Sequence, residues 1–171
     1  MKKLISIIIP MYNEEESLPY LYDRLTKLAD KIENYNMEFL FVNDGSKDNS
    51  LNIVKAYKKS DERVCYLNLS RNFGKEVAMA AALDYVRGDV VAIIDADLQD
   101  PPELIIDMLK YYEEGYDDVY AKRKSRKGET VLKKFTSHTF YRVLRSVSKV
   151  PIQEDTGDFR LLSRRAVEAL K

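Results

Sequence analysis

Four short apolar runs, residues 4–9, 39–42, 64–67 and 90–94, punctuate the first hundred positions and are rich in β-branched side chains. Their length and their lack of polar alternation are what strands buried on both faces require. Between the first two runs, Leu18, Leu21, Leu25, Leu28 and Ile32 recur at spacings of three and four, which marks one face of a helix. Residues 50–59, 75–86 and 102–112 read as further helices, the last with proline near its first turn. No internal repeat or low-complexity linker interrupts this alternation. A β-α-β-α series predicts an α/β fold in which a mostly parallel sheet is covered by helices on both faces.

In such a fold, ligands sit outside the carboxyl ends of the strands, so the residues that follow each apolar run are the ones to inspect. They are polar in all four cases: Pro10-Met11-Tyr12-Asn13-Glu14, Asn43-Asp44-Gly45-Ser46, Asn68-Leu69-Ser70-Arg71-Asn72, and Asp95-Ala96-Asp97-Leu98-Gln99-Asp100. Four acidic or amide clusters on one edge of one sheet exceed what turn chemistry alone demands.

Asp95 and Asp97 have the sharpest chemical content, because carboxylates two residues apart at a strand end project to the same side. With no His or Cys nearby, the pair suits a hard cation, Mg²⁺ or Mn²⁺, that completes its shell with substrate phosphates and water. Gln99 is in phase to add a third oxygen. The plainer reading makes Asp97 or Asp100 a cap for the helix that opens at Pro101-Pro102. Asp44-Gly45-Ser46, with Asp48 and Asn49 behind it, reads either as a turn and helix cap or as a carboxylate that meets a nucleotide base or ribose. Neither a G-x-G-x-x-G nor a Walker fingerprint is present, which disfavours a dinucleotide oxidoreductase and a P-loop NTPase.

Composition narrows the class. The 171 residues are the length of one domain. A single Cys65 and a single His138 leave no disulfide framework and no cysteine- or histidine-based zinc centre. Net charge is zero, but residues 1–120 carry 14 basic and 23 acidic side chains, whereas residues 121–171 carry 14 basic and 5 acidic. This split expects the C-terminal third to face something anionic, or else to be a basic solvated face. Lys2-Lys3 and the apolar run after them are followed at once by Pro10 and by Glu14-Glu15-Glu16, so a buried strand is expected there rather than a leader. No apolar run approaches the ~20 residues of a membrane span. Residues 133–149 interleave Phe135, Phe140, Tyr141, Val143, Leu144 and Val147 with five cations. That pattern fits a helix lying in a membrane interface, and equally a core-packed helix with a basic outer face. Acidic clusters in the expected cleft argue against a nucleic-acid partner.

Taken in order, these motifs, together with Ser70-Arg71-Asn72-Phe73-Gly74-Lys75 and Asp155-Thr156-Gly157-Asp158-Phe159-Arg160, resemble those of the family 2 glycosyltransferases. Within that family the chain is similar to the polyprenyl-phosphate group, which includes dolichol-phosphate mannose synthase and bacterial undecaprenyl-phosphate glucosyltransferases. The resemblance covers nearly the whole chain. It implies a GT-A fold, a Rossmann-like three-layer α/β/α sandwich, in one catalytic domain. Residues 1–120 would be the nucleotide-sugar and metal part and residues 121–171 the acceptor- and membrane-facing part. It also implies relatives that continue into C-terminal membrane helices, so that this chain stops short of them.

By the same resemblance Pro10, Tyr12 and Glu14 line the nucleoside pocket, Asp44 reads the base, and Asp95, Asp97 and Gln99 engage Mg²⁺ or Mn²⁺ and the diphosphate. Asn13, Ser46, Lys75 and Ala96 complete the nucleotide-sugar set, and Arg123 and Arg160 neutralise phosphate. Asp158, ahead of Asp155, takes the catalytic-aspartate position beside Asp97. The implied reaction moves a hexose, with inversion, from a UDP- or GDP-sugar to polyprenyl phosphate at the cytoplasmic membrane face, with UDP-glucose the favoured donor. Implied partners are that donor, the lipid acceptor, the membrane surface and, as an open option, a second copy of the chain. A family 2 enzyme acting on a glycan hydroxyl, which needs an essential base, is one rival. A non-catalytic nucleotide-sugar-binding or membrane-docking module is another. A sugar-1-phosphate nucleotidyltransferase is a distant third, because its Gly-rich N-terminal loop is missing.

Overall fold

The structure, a computed structural model, describes residues 2–122 and 156–171. Residues 1–120 and 158–171 form one compact unit, and residues 121–157 are a second, of which only the strand ends at 121–122 and 156–157 are described. The strands are β1 (Lys3–Met11), β2 (Tyr35–Asn43), β3 (Val64–Asn68), β4 (Val90–Ile93), β5 (Asp118–Lys122) and β6 (Thr156–Ser163). The described helices are α1 (Leu18–Lys31), α2 (Ser50–Ser60), α3 (Lys75–Leu83), α4 (Leu104–Glu113) and α5 (Arg164–Leu170). All four strands and all four helices expected in the first 113 residues are present.

The six strands lie in the order β3-β2-β1-β4-β6-β5. β1 pairs in parallel with β2 and β4, and β2 with β3, whereas β6 runs antiparallel to β4. Seven consecutive residues of β1, Ile5–Met11, are buried, as a central strand covered on both faces demands. One face of the sheet, with Ile8, Leu40, Val42, Val91, Ile93 and Leu162, packs on Ala78 and Ala82 of α3 and Val167 of α5. Ile7, Ile9, Phe39 and Phe41 are also fully buried and, by alternation, point to the other side. α1, α2 and α4 are tied to one another by the Tyr22–Tyr57 ring stack and the Arg24–Glu103 ion pair. The stripe Leu18, Leu21, Leu25 and Leu28 is the buried face of α1, and each of these leucines contributes of the order of 2 kcal/mol.

A polar network crosses the amino-terminal half of this apolar sheet. Ser6 in β1 lies level with Glu38 in β2 and donates its hydroxyl to the Glu38 carboxylate. Arg87 donates to Glu38 from its backbone N–H at 3.1 Å and from its guanidinium at 2.7 Å, and the Gly88 N–H donates to Ser6 Oγ at 2.7 Å. Burial pushes the Glu38 carboxyl up, but the Ser6 and Arg87 donors outweigh it and hold the group below the usual glutamate range. Every buried polar atom in this cluster therefore has a partner, which is the condition for placing it there. Stability is built at this end of the strands and the candidate site at the other.

Candidate active site

The loops after β1 and β2 are stitched to each other. The Asn13 N–H donates to Ser46 Oγ at 3.0 Å, and the Lys47 N–H donates back to Asn13 Oδ1 at 2.8 Å. The Glu14 N–H donates to Ser50 Oγ (2.8 Å), the Glu15 N–H to Asp48 Oδ2 (3.0 Å), and the Asn49 N–H to Glu15 Oε2 (2.8 Å). Asn13 holds the left-handed backbone that this turn requires, φ +56°, which asparagine tolerates better than most residues. Beneath, the buried Asn43 side chain donates to Asn68 Oδ1 at 2.7 Å and accepts from the Ser46 N–H at 3.2 Å. Burial pushes the Asp48 carboxyl up, but the Ser50 hydroxyl and several backbone N–H donors hold it below the usual aspartate range.

Asp44, 3% exposed, joins β2 to the loop after β3. Its carboxylate accepts from the Phe73 N–H at 2.7 Å and the Gly74 N–H at 2.9 Å. Gly45 beside it has φ +68°, and a Cβ there would lie 2.4 Å from the Arg71 carbonyl carbon and 2.6 Å from the Asn72 nitrogen. Only glycine lets the two loops approach so closely. Arg71 lies over the Phe73 ring, 4.7 Å from its centroid.

α3 starts at Lys75, whose ammonium forms an ion pair with Asp95, each side chain about one-third exposed. Past Asp95 the chain turns sharply: the Gln99 N–H donates to Asp97 Oδ1 at 3.0 Å, and Leu98 between them has φ +61°. A leucine in that region costs about 1–2 kcal/mol, a strain concentrated beside the paired carboxylates.

These loops enclose an open cavity of about 340 Å³. Pro10, Tyr12, Glu14, Asp44, Lys75, Asp95, Ala96 and Asp97 all line it, so eight of the expected site residues converge from four separate loops. Met11, Asn72 and Gly74 also line it, and sequence reasoning did not single them out as ligand contacts. Asn72 and Gly74 do lie within the 70–75 motif, which was the available signal. A second, more open cavity of about 560 Å³ adjoins it, lined by residues 13–17, Lys47, Asp48 and Asp97. Asn13 and Ser46 join the two loops, and Asn13 lines this second cavity and not the first. Gln99 follows the turn, outside both linings. Arg160 lies in β6 opposite Ile93 and pairs with Asp118 at 3.6 Å. Arg123, Asp155, His138 and the segment 133–149 lie outside the described residues.

Asp158 is in β6, and the antiparallel register places Arg160 opposite Ile93. Residue 158 lies two positions before that pair, in the first half of β6. The two carboxylates that line the cavity, Asp95 and Asp97, with no sulfur or imidazole beside them, fit a hard divalent cation. Among the described residues no group of three His, Cys, Asp or Glu is placed so that it could hold a metal ion by itself. Also among the described residues, no helix is long and apolar enough to cross a membrane.

Known proteins match this chain in sequence and in fold. The uncharacterized glycosyltransferase YkcC of Bacillus subtilis (strain 168) is 48% identical over 166 residues, which are 97% of this chain and 51% of YkcC. The prophage bactoprenol glucosyl transferase homolog of Escherichia coli (strain K12) is 42% identical over 167 residues, 98% of this chain and 54% of that protein. The chain thus spans about half the length of the curated relatives it matches. The solved structure of the mannosyltransferase PcManGT from Pyrobaculum calidifontis, in complex with GDP-Man and Mn²⁺, superposes with a TM-score of 0.68 at 22% identity. It covers 99% of this chain and 47% of that one, and shows the same fold. The family model described as glycosyl transferase family 2 matches residues 6–171, and the chain belongs to that family.

Proposed function

We propose that the chain is the catalytic part of an inverting hexosyltransferase that moves a sugar, glucose from UDP-glucose in the favoured case, from a nucleotide sugar to polyprenyl phosphate at the cytoplasmic face of a membrane. The observation that supports this most directly is the convergence of Pro10, Tyr12, Glu14, Asp44, Asp95 and Asp97 on one cavity at the carboxyl edge of the sheet. The 42% identity to a bactoprenol glucosyl transferase homolog supports the lipid acceptor and the sugar.

Breaking the anomeric C–O bond leaves a nucleoside diphosphate, so the site must stabilise negative charge that develops on the leaving group. Asp95 and Asp97, with Gln99 as the expected third oxygen, would hold Mg²⁺ or Mn²⁺, which as a Lewis acid would neutralise diphosphate charge. Pro10, Tyr12 and Glu14 line the nucleoside end of the cavity, and Asp44, with two of about four lone-pair positions already used, keeps acceptor capacity toward a base N–H. Arg123 and Arg160 act on phosphate. A lipid phosphate is already anionic near neutral pH and attacks without a general base. Asp158 therefore orients the acceptor or the sugar rather than removing a proton, with Asp155 as the alternative holder of that role.

Calorimetric titration of UDP and of GDP, each with Mn²⁺, with Mg²⁺ and with chelator, tests the donor site. One nucleotide should bind only with the cation, and Asp97→Ala should abolish that binding. A signal identical with and without chelator, or unchanged in the variant, would refute the assignment. Transfer of labelled glucose to undecaprenyl phosphate in detergent micelles tests the acceptor.

A further inference from the structure

Lys75 is held on Asp95 by more than mutual attraction. Its position is set by the first turn of α3, and that turn is fixed from outside the helix. The buried Asp44 carboxylate takes the N–H groups of Phe73 and Gly74, the two residues that lead into Lys75. Gly74 has φ +98°, the left-handed conformation that lets the chain enter the helix at this angle. The ammonium is thereby delivered to the first carboxylate of the Asp95-Ala96-Asp97 pair, inside the cavity that all three side chains line.

We propose that Lys75 is a positioning residue that pairs with Asp95 before the donor binds, competing with the cation for that carboxylate, and is drawn off by the donor's diphosphate. This rests on the reading of Asp95 and Asp97 as holders of a divalent cation. Two carboxylates facing one cavity repel each other, and a tethered ammonium relieves that repulsion without closing the site. A divalent cation arriving alone must displace the ammonium, so it binds weakly. A cation arriving with a nucleoside diphosphate brings oxygens that the ammonium can pair with instead, so Asp95 is released at little electrostatic cost. Cation and nucleotide then bind cooperatively, and by linkage each raises the affinity of the other by the same factor. The device discriminates against the free metal ion and, equally, against a nucleoside lacking the diphosphate.

The test is Mn²⁺ titration followed by the electron paramagnetic resonance signal of the free ion, with and without UDP or GDP, on the wild-type chain, Lys75→Met, Lys75→Arg and Asp97→Asn. Thermal melts confirm that each variant is folded. Without nucleotide, Lys75→Met should bind Mn²⁺ roughly fivefold more tightly, the effect of removing one partly exposed ion pair that competes for the carboxylate. Lys75→Arg, which keeps the cation, should stay near wild type. The factor by which nucleotide tightens Mn²⁺ binding should shrink in Lys75→Met. Mn²⁺ binding that is lost in Asp97→Asn but is unchanged or weakened in Lys75→Met would overturn this proposal and leave the metal assignment standing. Mn²⁺ binding that ignores Asp97 altogether would overturn both.

Discussion

Asp44 and Gly74, thirty positions apart in sequence, are joined by a 2.9 Å hydrogen bond in which a carboxylate at the end of β2 receives the backbone N–H that precedes α3. With its companion at Phe73, this bond makes a side chain on one loop the template for another loop's backbone. A residue of this kind is structural and functional at once, and its substitutions separate the two roles.

Asp44→Ala removes both acceptors and leaves two half-buried N–H groups unanswered, at about 1–3 kcal/mol each before water partly replaces the lost bonds. We expect a loss of about 3 kcal/mol in urea unfolding. Asp44→Asn keeps one acceptor oxygen and should lose about half as much. Equal midpoints for wild type and Asp44→Ala would show that the loop holds itself.

Asp61 gives a pH signature. The Arg63 guanidinium, outweighing partial burial and aided by the Arg63 N–H and the Tyr22 hydroxyl, holds its carboxyl at about 2, against 3.8 for a free aspartate. The folded pKa is depressed, so the unfolded chain binds more protons between these values and stability rises with pH there. The contribution is complete above about pH 4 and is lost as pH falls toward 2. Asp61→Asn should therefore cost about 1–2 kcal/mol at pH 7, with the gap to wild type closing near pH 2 in parallel denaturant titrations. A gap of constant size across that range would contradict the ion-pair account. Tyr22, whose hydroxyl is pushed up to about 12 by burial and by Asp61, keeps donating throughout.

Gly88→Ala would place a Cβ 2.6 Å from Ser6 N, Ser6 Oγ and Val90 O, all parts of a rigid sheet. Overpacking of this kind costs about 1–3 kcal/mol, and the shift of Ser6 removes a donor from buried Glu38 as well. A fall in the thermal midpoint of several degrees is the expected reading. An unchanged midpoint would mean that β1 and β4 can part locally without penalty.

Asn13→Ala should lower stability by about 1–2 kcal/mol, because the Lys47 N–H loses its acceptor and alanine takes up φ +56° reluctantly. Asn13→Gly should recover the backbone share and not the hydrogen-bond share. If the two variants melt together, conformation plays no part.

Much of this was legible in the sequence, for a physical reason. The stripe at 18, 21, 25 and 28 and the uninterrupted run in β1 report burial directly, since water excludes those side chains whatever the topology. The polar strand ends likewise announced the edge where the cavity lies. Contacts set by register were not legible. Glu38, just outside the apolar run at 39–42, is buried in β2 because Ser6 sits level with it and Arg87 arrives from another loop. Asn13 and Ser46 read as nucleotide contacts, and their side chains are found spanning two loops 33 positions apart. β6 escaped notice because its partner β4 lies 67 to 73 positions back and the pairing reverses the direction of the sheet. Local pattern tells which residues are inside, and only the assembled chain tells which polar groups they meet.

The stitching of the loops after β1 and β2 bears on how a chain of this kind can change over time. Surface connections are normally where residues are gained and lost freely. Here the backbone of each loop answers side chains of the other in both directions, so one residue inserted at 14 would pull Asp48, Asn49 and Ser50 out of step with it. A length change in one loop needs a matching change in the other, two simultaneous events instead of one. The two loops should therefore vary in composition while keeping their lengths, and insertions should collect in connections that no partner measures.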